Sequence, residues 1–157
     1  MKNDYYDIAY NNWRYLEIGL GYPMYNDLAV SAQQVAEKML KSAVEHTCIE
    51  VESLLKSHNL RALYDKIHQA DPDFVLDRNA LSTLKDYYFD AKYPGDNFVS
   101  VTKEECQECL EIMYDVIEQV NQLRNKLGLY TEHIPRKMIL DLEEDEVLED
   151  LDNTDIS

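Results

Sequence analysis

Cys106 and Cys109 stand at the spacing that zinc and redox chemistry use, because one helical turn brings two thiols to the same side. Here they share that side with Met113 and Ile117, and no second ligand pair stands at zinc-site spacing. They read as small core hydrophobes, and no metal or cofactor is implied. Twelve tyrosines form a second conspicuous set, with Tyr5, Tyr6, Tyr10, Tyr15, Tyr22 and Tyr25 near the start and Tyr87, Tyr88 and Tyr93 later. Such rings can stack on bases, but no matching set of Lys and Arg accompanies them, which favours a protein interface or the rim of a core. The third set is polar: Gln33 and Gln34 sit in the middle of "YNDLAVSAQQVAEKMLKSAVEH", an otherwise regular amphipathic stretch.

The elements that must position these residues follow from apolar periodicity. In Tyr25 to His46, residues Leu28, Ala32, Val35, Ala36, Met39, Leu40 and Ala43 fall in one arc at 100° per residue. Gln34, Lys38, Lys41 and Glu45 fall opposite, Gln33 lies on the border, and Glu37 to Lys41 makes an i,i+4 pair. Asn3 to Leu20 predicts a preceding helix with Tyr5, Ile8, Ala9, Trp13, Leu16 and Leu20 as its stripe, stopped by Gly19, Gly21 and Pro23. A short helix capped near Ser57 and closed before Pro72 follows, then a helix over Leu76 to Ala91 that ends at "KYPGDN". Thr102 and Glu105 stand in capping-box register before a long last helix that stops at Gly128. No strand alternation competes, so the expected fold is all-α, an up-down antiparallel bundle of four to five helices over residues 1–130.

Length and charge narrow the function. A chain of 157 residues suits one domain. No apolar run of membrane-spanning length and no basic-then-apolar leader occurs, and three cysteines are an odd number; a reduced, cytoplasmic protein with no membrane attachment is expected. The formal charge is -16, but nine of the 31 acidic residues and none of the 15 basic ones lie from Asp141 onward. Residues 131–157 therefore read as a flexible acidic tail, and the remainder keeps 22 acidic against 15 basic residues. Such a body disfavours strong non-specific nucleic-acid binding, although a local basic cleft remains compatible with it.

The stretches "SAQQVAEKMLKSAVEH", "SHNLRALYDKI" and "YYFDAKYPGDNFVSVTKEECQECLEIMYDVIEQV", in that order, resemble the HEPN domain family, in its Tyr-Pro-Gly subgroup. The resemblance covers about four fifths of the chain. It implies a helical bundle that often dimerises, accompanies minimal nucleotidyltransferases or binds a nucleotide. It also implies that the second helix lies at the centre of the bundle. Gln33, Gln34, Glu37 and Lys41 then become candidates for the border of a subunit interface, with plain solvation as the alternative.

Many members of that family are metal-independent ribonucleases, some of toxin type, that use an Arg and, four to six residues later, a His near the start of the last helix. The Arg holds the phosphate and the His moves a proton near neutral pH. In this chain Lys92 stands where related members have Arg, and no His occurs between His68 and His133, so the catalytic pair is expected to be lost. The formal substitute is Arg61 with His68, two turns apart on one helix face, set against the plainer reading of a solvated Arg and a helix-end His. His58 matches the family's His-x-Leu entry to the third helix. With Lys92 and Tyr93 it is a candidate ligand contact, or else it packs at the helix start. The expected role is a non-catalytic, homodimeric binding module. A toxin-type ribonuclease and an acidic mimic of nucleic acid are the alternatives.

Overall fold

The computed structural model describes residues 4–92 and 100–139, and the side chains of all of these except 88–92. Six helices are present among them: α1 (Tyr5–Ile18), α2 (Tyr25–Thr47), α3 (Glu52–Leu55), α4 (Leu60–Ala70), α5 (Arg78–Lys92) and α6 (Lys103–Lys126). The sequence-predicted all-helical bundle is borne out; α3, a four-residue helix in a stretch without clear periodicity, is the addition. A 3₁₀ turn over Gly19–Gly21 ends α1.

Helix α2 occupies the middle, packed against α1, α4, α5 and α6. Its small residues Ala29, Ala32 and Ala36 are wholly buried, which lets neighbouring backbones approach closely. Along α1, Tyr6, Ala9, Trp13 and Leu16 are buried at alternating three- and four-residue steps; Tyr6, and not the expected Tyr5, is the deep aromatic. Asn59 caps α4 through Oδ1, which accepts from the Ala62 N–H, so the cap falls two residues beyond the expected Ser57. The reciprocal capping box of Thr102 and Glu105 opens α6 as expected. At the other end Gly128 adopts φ 72°, and the N–H groups of Gly128 and Leu129 bond the carbonyls of Asn125 and Arg124. A left-handed glycine with that bonding pair closes the helix and redirects the chain.

The redirected chain returns along the bundle. Residues 129–139 form no regular element, yet their backbone is held by side chains of α1 and α6. The Tyr6 hydroxyl accepts from the Glu132 N–H at 2.8 Å and donates to Asn121 Oδ1 at 2.8 Å. The Tyr114 hydroxyl donates to the Lys137 carbonyl at 2.7 Å and accepts from the Lys137 N–H at 3.0 Å and Trp13 Nε1 at 3.3 Å. Arg124 Nε donates to the Tyr130 carbonyl, and its guanidinium carbon lies 3.9 Å from the Tyr6 ring centroid. Arg136 bridges Asp115 and Glu118, and Ile139 joins the core. The expected tail boundary at residue 131 thus falls within a packed strap. The strap has no helical period because its backbone groups pair with side chains, so periodicity could not reveal it. The acidic stretch from residue 140 lies outside the described residues.

Tyr114→Phe removes the hydroxyl from all three of its partners and leaves the Trp13 indole N–H buried without one. The expected loss is about 1–3 kcal/mol in denaturant unfolding, whereas truncation after Ile139 should keep a cooperative transition near the wild-type midpoint. A Tyr114→Phe protein as stable as wild type would remove the strap from the folded unit.

Candidate functional site

Gln33, Glu37 and Lys41 form one column on α2, four residues apart. All three are buried, at 2, 4 and 3 % exposure, although the stripe reading put Lys41 on the solvated side. The correction has a geometric cause. Two-faced periodicity assumes one face in water, but the middle of α2 is surrounded, and Tyr5 of α1 covers what would be its polar side.

Glu37 is the centre of the cluster. Its Oε1 meets His58 Nδ1 at 2.9 Å and accepts from Gln33 Nε2 at 3.4 Å; its Oε2 meets Lys41 Nζ at 3.3 Å and Lys38 Nζ at 3.5 Å. The two ammonium groups each lie 5.8 Å from the Tyr5 ring centroid, where the ring face attracts positive charge. Burial acts to raise the Glu37 carboxyl's pKa, but the His58 hydrogen bond and the charges of Lys41, His58 and Lys38 outweigh it and hold the group below its ordinary value. His58 reaches the cluster from the link between α3 and α4, and its side chain stays 73 % exposed. Gln34 is half-buried on the neighbouring face. The four proposed interface residues are therefore three internal groups and one at the edge. Lys38 and Tyr5 complete the cluster, and only their contacts, not their spacing in the sequence, place them there.

The remaining candidates lie apart. Arg61 and His68 are about two turns, some 10 Å, from one another on α4. Arg61 Nη1 donates to Ser82 Oγ at 3.1 Å. His68 stacks on Tyr64, with centroids 5.5 Å apart, and its Nδ1 meets the Phe74 carbonyl at 2.8 Å, which ties the end of α4 to the turn before α5. No contact joins the two, so they do not form a paired acid–base site. Lys92 is the last residue of α5; its side chain, and Tyr93 altogether, lie outside the described residues. Cys106 and Cys109 are fully buried, and desolvation pushes both thiols up to about 12, where they are neutral hydrophobes. Among the described residues no group of His, Cys, Asp and Glu is arranged to hold a metal.

The beginning of α6, where the family resemblance places catalysis, is acidic and self-capped. Glu105 accepts from the Thr102 N–H and from the Tyr87 phenol; the Tyr87 bond and that backbone bond hold its carboxyl below the usual range. The same bond, with burial, pushes the Tyr87 phenol up to about 12. Glu104, Glu108 and Glu111 add charge along this turn and the next. The helix end thus spends its positive pole on its own carboxylate and surrounds it with like charge.

The HEPN domain family model matches residues 3–123, over three quarters of the chain. Together with the helical bundle, this match shows that the chain belongs to the HEPN domain family, a class of helical modules of nucleotide-binding or ribonuclease type. No curated protein and no solved structure matches the chain. The match stops within α6, before the strap of residues 129–139.

Removing one member of the buried pair should be costly. Lys41→Met leaves Glu37 short of its internal cation and is expected to lose about 3–5 kcal/mol, most of it recovered in the double variant Glu37→Leu/Lys41→Met. Because the folded-state pKa of Glu37 lies below the unfolded value, its contribution is complete above the ordinary 4.5 and is lost as pH falls through the lower folded value. The double variant should therefore lose less stability than wild type between pH 5 and about pH 2. Parallel acid unfolding curves for the two proteins would show that the fold does not hold the Glu37 carboxyl below its ordinary value.

Proposed function

We propose that this chain is a non-catalytic HEPN module that works as a homodimer and holds a partner protein, such as a nucleotidyltransferase, or a nucleotide. The observation that carries the demotion from enzyme is the beginning of α6. No Arg occurs between Arg78 and Arg124 and no His between His68 and His133, while Glu104, Glu105 and Glu108 occupy the first turns of the helix. Beside Lys103, an anionic scissile phosphate would meet these carboxylates there, with no Arg to clamp it and no His to move its proton. Loss of positioned proton transfer alone forfeits about 100- to 10,000-fold in rate.

Support for association comes from the far end of α1. Tyr15, Ile18, Tyr22 and Met24 are 78, 71, 60 and 47 % exposed, four apolar or amphipathic side chains close together in the sequence. Amphipathic rings of this kind are enriched where proteins meet.

Two measurements test the proposal. Purified protein incubated with total or transfer RNA without metal should leave the RNA intact; cleavage that disappears in His58→Ala, His68→Ala or Lys92→Ala would establish the ribonuclease instead. Sedimentation should give a dimer for wild type and a shift to monomer for Tyr15→Glu/Ile18→Glu, with helicity retained. A strictly monomeric wild type would refute the homodimer.

A further inference from the structure

We infer that the cleft between α4 and α5 is a binding site for a compact oxyanion, a phosphate group either free or carried by a small molecule. The inference deepens the ligand-binding half of the function proposed above and rests on it. A chain of net charge -16 gathers Arg61, Arg78 and Lys85 around one opening, with Asp65 and Asp86 as the acidic members of the lining. Three cations against two carboxylates make this opening locally positive on a body that is otherwise acidic.

The donors are arranged for exchange. Arg61 faces a neutral partner, the Ser82 hydroxyl, which in turn donates its hydrogen to the Arg78 carbonyl at 3.3 Å. The guanidinium carries five donor hydrogens, of which this bond uses one. Arg78 pairs with Asp65 at 2.9 Å, but the two side chains are 50 and 41 % exposed. An exposed pair of that kind adds little to stability, so Arg78 can turn to an incoming anion at small cost. Lys85 follows Ser82 by three residues and Arg78 by seven, which sets all three along one face of α5 opposite Arg61. Two guanidinium forks and an ammonium lining one opening from two helices suit a tetrahedral, multiply charged oxyanion better than a single carboxylate.

The lining also limits what can enter. Asp65 and Asp86 flank the cations, and the body's net negative charge opposes a long polyanion, so one phosphate group is accommodated where a nucleic-acid backbone is not. A cleft of about 350 Å³ leaves space for the moiety that bears the phosphate.

The test is an NMR titration of the full chain with inorganic phosphate in one arm and a nucleoside 5′-monophosphate in the other, at constant ionic strength. Expected are saturable shifts at Arg61, Ser82 and Lys85, an affinity at least ten-fold weaker in Arg61→Gln/Lys85→Gln, and tighter binding in Asp86→Asn. Circular dichroism and thermal melting confirm that each variant folds; the single Lys85→Gln serves if the double variant does not. Equal affinity in both arms assigns the site to free phosphate, and a tighter nucleotide arm assigns it to a phosphorylated ligand. Shifts that stay linear with concentration, or affinities unchanged by all the substitutions, overturn the inference. Cleavage of RNA or a monomeric protein would overturn the parent reading without touching this result.

Discussion

A carboxylate inside a helical bundle is expensive, and the arrangement around Glu37 answers that cost. Removing an ionised group from water costs several kcal/mol even after the protein relaxes. Here Lys41 from the next turn, Lys38 beside it, His58 from the link and the Gln33 amide all converge on its two oxygens. Three separate pieces of chain must be in place together: α2 supplies the column, α1 lays Tyr5 over the ammonium groups, and the link before α4 delivers His58. The cluster thereby fixes how α1 and the α3–α4 region sit on α2, a specificity that apolar packing of similar helices does not supply.

The same surroundings explain why α2 carries polar residues at its centre. A helix packed against four others keeps only a narrow partly solvated edge, here Gln34, Lys38 and Glu45, so the polar groups off that edge pair internally. The opposite edge of the bundle uses a related device. Tyr6 and Tyr114 project their hydroxyls to the rim and use them to hold the backbone of the returning strap, while Arg124 lies on the Tyr6 ring. Of the tyrosines that look in sequence like a stacking surface, Tyr6 is consumed in this way, while Tyr15 and Tyr22 stay exposed.

Much of the fold was legible in the sequence. Apolar periodicity located every long helix, and the Thr102–Glu105 register and Gly128 gave the two ends of α6, because these signals depend on backbone chemistry within a few residues. What escaped depends on distant partners. Lys41 was misplaced because one helix read alone cannot show that a second covers its polar side. The strap escaped because side chains more than a hundred residues away, such as Tyr6, satisfy its backbone. Of the candidate site, the sequence supplied Gln33, Glu37, Lys41 and His58 as residues to watch, but nothing in their spacing foretold that they meet at one carboxylate. Arg78, Ser82 and Lys85 carried no motif at all; only the pairing of α4 with α5 assembles them around Arg61.

In this HEPN-family chain the conspicuous polar residues Gln33, Glu37 and Lys41 pair with one another inside the bundle, and the beginning of the last helix carries Glu104, Glu105 and Glu108. The architecture hangs on Glu37 being ionised while buried. The direct measurement is a carbon-13 NMR titration of the Glu37 side-chain carboxyl in the folded protein. A midpoint below the ordinary glutamate value of 4.5 is what the cluster predicts. A midpoint above that value would mean that burial outweighs the surrounding donors, and would contradict the role given to Lys41, Lys38 and His58.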